Sequence, residues 1–113
     1  MILTFGDVVL LDVPFHQTGG SKIRPAVVVH DCGDGDFVAA PVTSRMRNGR
    51  FDMPISNLGT AGLHVPCLAR LNKCGVLARH GILRHPGTLS PEDRKVATGL
   101  ACQIYCPVAQ PEG

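Results

Sequence analysis

With 113 residues, 44% of them apolar, the chain can bury one core and not two, so it forms a single domain for which association between copies is open. A formal net charge of +2 is too small to establish nucleic-acid binding by itself, yet eight of the eleven cations are arginine, a bias toward bidentate contacts with phosphate or carboxylate. Only 18% of the residues are charged and the mean hydropathy is +0.14, which leaves apolar surface for a partner to cover.

In chain order, residues 7–13 (DVVLLDV) are β-branched and apolar over most of their length, bracketed by Gly6 and Pro14, and read as a buried strand. The connection 14–24 (PFHQTGGSKIR) is longer than a hairpin requires, and long loops carried on rigid strands are where function concentrates. It delivers Lys22 and Arg24 to the next strand. Pro25 biases the residue before it to an extended conformation, so the Arg24 guanidinium leaves the loop at a defined point. Residues 25–30 (PAVVVH) are the second strand, the Asp-Gly steps of 31–36 (DCGDGD) a turn, and residues 37–43 the third strand of a meander. The acidic turn lacks the spacing and the distal glutamate of a calcium loop.

Residues 44–50 (SRMRNGR) form a polar connection, 51–55 a fourth strand and 56–62 a loop. Residues 63–71 read as a fifth strand interrupted at Pro66, which puts it at an edge or a bulge. Residues 72–87 carry Gly75, Gly81, Pro86 and Gly87 and allow only short pieces. The last element is a helix, with Ser90 as N-cap, Pro91 at the first helical position and Asp93 three residues after the cap. Val96, Ala97, Leu100, Ala101, Ile104 and Tyr105 recur at helical spacing and predict one core-facing stripe. Pro107 ends it. The expected architecture is mainly β, of the α+β class: a strongly bent five-stranded sheet closed by a C-terminal helix, with residues 1–106 as the domain and 107–113 as a flexible tail.

The start of the chain has no basic region ahead of an apolar run, Asp12 breaks the run after Asp7, and no stretch is long enough to span a membrane, so a cytoplasmic location is expected. Five cysteines, an odd number, then read as reduced thiols rather than a disulfide frame. Cys102 and Cys106, four apart, and Cys67 and Cys74 do not make a zinc set, and no metal or cofactor is expected. Thr18 to Lys22 lacks the order of a phosphate-binding P-loop and runs into a strand rather than a helix. Arg24 has two readings, a structural ion pair with Asp7 or Asp12 or a phosphate contact. Arg45, Arg47 and Arg50 are either a solvated hairpin tip or an electrostatic cradle for phosphates, and their place directly after Thr43 and Ser44 favours the cradle. With no tryptophan and one tyrosine, base stacking would fall to Phe15, Phe37 or Phe51.

The run GDVVLLDVPF, the Gly/Ser/Lys loop, RPAVVV, the strand ending APVTS, Gly62-Leu63, Arg70-Leu71 and the helix opening LSPEDRKV together resemble the MazF/PemK-like toxins of bacterial type II toxin–antitoxin systems, over almost the whole chain. The resemblance implies an SH3-like, partly open five-stranded β-barrel of the CcdB/PemK kind with a C-terminal helix, assembled as a homodimer. It also implies a metal-independent, sequence-specific endoribonuclease that cuts single-stranded mRNA by 2′-hydroxyl attack, and an antitoxin that blocks the RNA groove. Carried over by position, the family's catalytic arginine falls on Arg24, its catalytic threonine on Thr43 with Ser44 beside it, and a second arginine on Arg70. Phe15, Gln17, Lys22, Arg45, Arg47, Arg50 and Asn72 are placed against RNA. The carboxylate that one branch of the family carries two residues after the second arginine is Asn72 here, and an amide cannot serve as a general base. His16, in the loop, is the candidate base, with His64 also available. The competing readings are a non-catalytic SH3-like module that engages a protein, as gyrase-poisoning relatives do, or an RNA-binding protein that does not cut.

Overall fold

The computed structural model describes residues 2–14 and 20–106, with Val13, Pro14 and Ser21 described by backbone alone. The loop residues Phe15, His16 and Gln17 and the expected tail 107–113 lie outside it. Seven strands form one antiparallel sheet: β1 (Asp7–Pro14), β2 (Ser21–Asp31), β3 (Asp36–Thr43), β4 (Asp52–Pro54), β5 (Leu68–Arg70), β6 (Gly75–Ala78) and β7 (Ile82–Thr88). Their order is β4-β5-β3-β2-β1-β7, with β6 also paired to β3, and no ladder joins the outer strands β4 and β7. The result is an open, barrel-like sheet with a C-terminal helix, as expected, but with two more strands than the five read from the sequence. The additional strands, β6 and β7, come from the glycine- and proline-rich stretch 72–87.

The central meander follows from composition. Val8 pairs with Val27 across β1 and β2, and Val27 with Ala40 across β2 and β3, so β-branched and small residues stack on one face. Both faces of these strands are covered. Val8, Val27, Ala40, Val42, Leu71, Leu89 and Ala97 share one core, while Val9, Leu11, Ala26, Val28, Phe37 and Ala39 share a second on the opposite face. This explains why strands β1 and β2 read as continuous apolar runs rather than alternating ones. Each such fully buried Val, Leu or Phe contributes roughly 1.5–3 kcal/mol.

β2 begins at Ser21, four residues before the expected start, because Ile23 pairs with Asp12 and Lys22 with Val13. Lys22 and Arg24 therefore sit on a strand and not in the loop. The expected fifth strand shrinks to Leu68–Arg70, with residues 63–67 irregular ahead of it, and the expected loop 56–62 contains a single helical turn, α1 (Leu58–Ala61), capped by the Asn57 side chain. α1 lies against β7 so closely that a Cβ on Gly87 would collide with the backbone of Thr60 and Ala61.

Helix α2 (Pro91–Tyr105) starts where expected, Ser90 Oγ accepting the Asp93 amide at 3.1 Å with Pro91 in the first turn. The Asp93 side chain does not turn back to complete a local capping box. It reaches loop 55–57 instead, accepting from the Ser56 amide, the Ser56 hydroxyl (2.7 Å) and the Asn57 amide (3.1 Å) while only 4% exposed. Of the expected stripe, Ala97 is buried and Leu100, Ala101 and Ile104 pack against the core. Val96 is 52% exposed, which corrects its assignment to the core, and Tyr105 is 46% exposed while its hydroxyl donates to the Leu71 carbonyl at 2.6 Å. No helix among the described residues is long and apolar enough to cross a membrane.

Candidate functional site

Strands β2 and β3 pair from Asp31↔Phe37 as far as Ala26↔Pro41 and then part company. Beyond that point β2 continues only with β1, where Arg24 lies opposite Leu11, and β3 continues with β5, where Thr43 lies opposite Leu68. Proline stands on both sides of the split, at 25 and 41, and neither ring has an amide to donate to a ladder. Arg24 and Thr43 each lie two residues past the last β2–β3 pair, Ala26↔Pro41, one on either arm of the split. Two depressions open at this fork, and both are lined by Arg24, Pro25 and Val42.

The first depression adds Lys22 and Ser44, and its far wall is the segment ahead of β5, with Leu63, His64, Val65 and Cys67. The second adds Thr43, Arg70 and Lys73 over an apolar floor that includes Leu11, Ala39 and Leu77. Cations, hydroxyls and apolar surface thus meet at one fork, an arrangement suited to a ligand with both anionic and flat apolar parts. Arg24 is exposed and makes no ion pair among the described residues. Its expected partner Asp7 instead accepts the Thr4 amide at 2.9 Å and lies 3.6 Å from His85, and Asp12 is exposed. Thr43 Oγ1 accepts the Arg45 amide at 3.1 Å, which fixes the rotor and leaves the hydroxyl hydrogen to donate into the depression.

Arg70 is held from behind. Its Nε donates to Asp52 Oδ1 at 3.2 Å, and Asp52 Oδ2 accepts the Gly49 amide at the same distance. The Asp52 side chain is 4% exposed and that of Arg70 25%, so a buried carboxylate anchors a guanidinium whose outer part borders the depression.

Residues 4–102 match the family of PemK-like, MazF-like toxins of type II toxin–antitoxin systems. The chain belongs to this family. No curated protein matches it in sequence. Solved structures of MazF proteins share the fold at low identity: a MazE–MazF complex from Deinococcus radiodurans (22% identity, 92% of this chain and 95% of that one, TM-score 0.69) and the Mycobacterium tuberculosis toxin MazF-mt6 (14%, 87% and 96%, TM-score 0.67). An endoribonuclease in complex with its cognate antitoxin, from a Mycobacterial species, superposes with TM-score 0.72 at 13% identity, covering 99% of this chain and all of that one.

Within this MazF-like fold, Arg24, Thr43, Ser44, Lys22 and Arg70 all line the fork. Phe15, His16 and Gln17 lie outside the described residues. Arg45, Arg47 and Arg50 are exposed and line neither depression, and Arg50 instead stacks over the Phe51 ring, 5.1 Å from its centroid. Phe37 is fully buried, which removes it as a stacking platform. Asn72 is exposed in the 3₁₀ turn Leu71–Lys73 and lines neither depression, whereas its neighbour Lys73 does line the second. Lys73 was not singled out from the sequence, and the signal for it was a cation three residues after Arg70, which one 3₁₀ turn brings back to the same side.

Proposed function

We propose that this chain is the ribonuclease toxin of a toxin–antitoxin pair, cutting single-stranded mRNA without a metal ion by attack of a ribose 2′-hydroxyl on the adjacent phosphorus. The observation that carries the reading is the convergence of Arg24, Thr43 and Ser44 at the fork between β2 and β3. In-line attack places negative charge on the non-bridging phosphoryl oxygens. A guanidinium that makes no ion pair among the described residues donates two hydrogen bonds to those oxygens, and donors fixed before the reaction need no reorganisation as the charge grows. Ser44 in the first depression and Thr43 in the second each donate a hydroxyl hydrogen to a phosphate oxygen bound there. Lys22, Arg70 and Lys73 neutralise it and its neighbours along the strand. The apolar floor of the second depression receives a base, and Arg45, Arg47 and Arg50 extend the cationic surface outward from Thr43.

Family membership and the MazE–MazF and endoribonuclease–antitoxin complexes with the same fold support an antitoxin as partner, and in this reading a segment of it lies over the groove. A homodimer in the cytoplasm completes the reading. In a buffer containing EDTA, the wild-type chain is expected to cut a long single-stranded transcript. Arg24→Ala is expected to lower the rate about 10³-fold, the scale for losing one preorganised oxyanion donor, with the unfolding temperature unchanged because the side chain is exposed. Transcript left intact by the wild type, with binding retained, would return the chain to an RNA-binding module that does not cut; loss of both would favour the protein-binding reading.

A further inference from the structure

We propose that His64 is the catalytic base of this site, the group that takes the proton from the attacking 2′-hydroxyl; the inference rests on the ribonuclease reading above. The family position from which a carboxylate would act is Asn72, an amide, and it is exposed outside both depressions. Asp52, 4% exposed, has both oxygens engaged, one by Arg70 and one by the Gly49 amide, so it has no route to a substrate oxygen, and Asp12, exposed opposite Ile23 across β1 and β2, lines neither depression.

Among the described residues, the groups lining the two depressions that can exchange a proton are few. Arginine and lysine side chains offer donors and no acceptor, and the Thr43 and Ser44 hydroxyls are hydrogen-bonding groups that are not convincing bases unaided. Cys67 is buried, and that burial pushes its thiol up, away from a usable thiolate. His64 remains. It is exposed on the far wall of the first depression, facing Lys22 and Arg24 on β2 and Ser44 after β3, with Cys67 on its own side. His30, His80 and His85 line neither depression, and His85 is turned to Asp7. Histidine is the side chain whose charge ordinarily changes between about pH 5 and 8, which is the property a base in this place requires.

The placement also fits the geometry of attack. A phosphate bound by Arg24 and Ser44 occupies the same depression that His64 lines, and the ribose attached to it is placed there with it. The neutral imidazole accepts the 2′-hydroxyl proton as the 2′-oxygen bonds to phosphorus. The bond from phosphorus to the 5′-oxygen breaks, and that oxygen takes a proton from water, leaving a 2′,3′-cyclic phosphate and a 5′-hydroxyl. The imidazolium returns its proton to the hydroxide so formed, and nothing is oxidised or reduced.

The test compares the wild type with His64→Gln, which keeps hydrogen bonding but cannot titrate, and with His64→Ala. Single-turnover cutting of a long single-stranded transcript in EDTA is followed from about pH 5 to 8, and binding is measured with the same RNA made 2′-O-methyl throughout. The expected result is a 10²- to 10³-fold slower cut by His64→Gln, the ordinary share of a general base. Binding should stay within about twofold, the wild type's rise in rate with pH should disappear, and free imidazole should partly restore His64→Ala. Cutting by His64→Gln at the wild-type rate with the wild-type pH profile overturns the proposal, and so does a loss of rate matched by an equal loss of binding. If His16→Gln alone removes the pH-dependent step, the base is in the loop and His64 is excluded. A wild-type chain that leaves the transcript whole overturns the ribonuclease reading itself, a result distinct from any in which the wild type cuts and the variant does too.

Discussion

The guanidinium of Arg70 owes its position to a carboxylate eighteen residues away. Asp52 and Arg70 are register partners across β4 and β5, and Asp52 accepts from Arg70 Nε at 3.2 Å while also closing the 49–52 turn through the Gly49 amide. Removing one member of such a sheltered pair leaves the other with an unsatisfied charge, which costs more than the pair contributes. Asp52→Asn is therefore expected to destabilise the fold by about 2 kcal/mol. Once Arg70→Ala is present, the same substitution should cost at least 1 kcal/mol less, the scale of coupling between groups in contact. Urea denaturation of the two single variants and the double variant measures this. Additive losses would show that the bond does not form in solution. The position of Arg24 at the fork was legible because Pro25 ties it to the start of a strand, whereas Thr43 entered through the family resemblance alone. The Asp52–Arg70 bond was not legible, because it depends on the register of two three-residue strands that nothing local specifies.

The Asp93 side chain ties the N-terminus of α2 to loop 55–57. Burial raises the tendency of the Asp93 carboxyl to hold its proton, but the hydrogen bonds from Ser56, Asn57 and Ser90 outweigh it and keep the group below its ordinary 3.8. A carboxyl depressed in the folded state contributes stability above its unfolded value and loses it as pH falls through the folded one. Asp93→Ala is thus expected to cost about 3 kcal/mol at neutral pH, since it leaves several buried donors unmet. The gap between variant and wild type should narrow as pH drops below about 4. Denaturant midpoints at a series of pH values decide it, and a gap independent of pH would show that the ionised form is not what holds loop 55–57. Ser90, Pro91 and the helix itself were readable from local capping chemistry. The target of Asp93 was not, since a capping-box carboxylate and a long-range clasp have the same sequence spacing. Strands β6 and β7 were hidden for another reason: the glycines and prolines of 72–87 weaken local strand preference, and pairing to β3 and β1 overrides it.

Across the whole molecule, the same device that opens the sheet makes the site. Two prolines stand where β2 and β3 part, β2 stays with β1 while β3 turns to β5, and the fork between them gathers Arg24, Thr43, Ser44 and His64 from three separate segments. Apolar side chains that a monomer leaves in water, such as Val76 at 65% and Val65 at 56% exposure, give a homodimer surface to cover, and Val65 sits beside His64 on the wall of the site. In the proposed reaction the ribose 2′-hydroxyl of the RNA cuts its own strand at this fork, and the decisive measurement is the chemical identity of the ends produced when the wild-type chain is incubated with single-stranded RNA in EDTA. The expected ends are 2′,3′-cyclic phosphate and 5′-hydroxyl; 3′-hydroxyl and 5′-phosphate ends, or RNA that stays whole, would rule the reaction out.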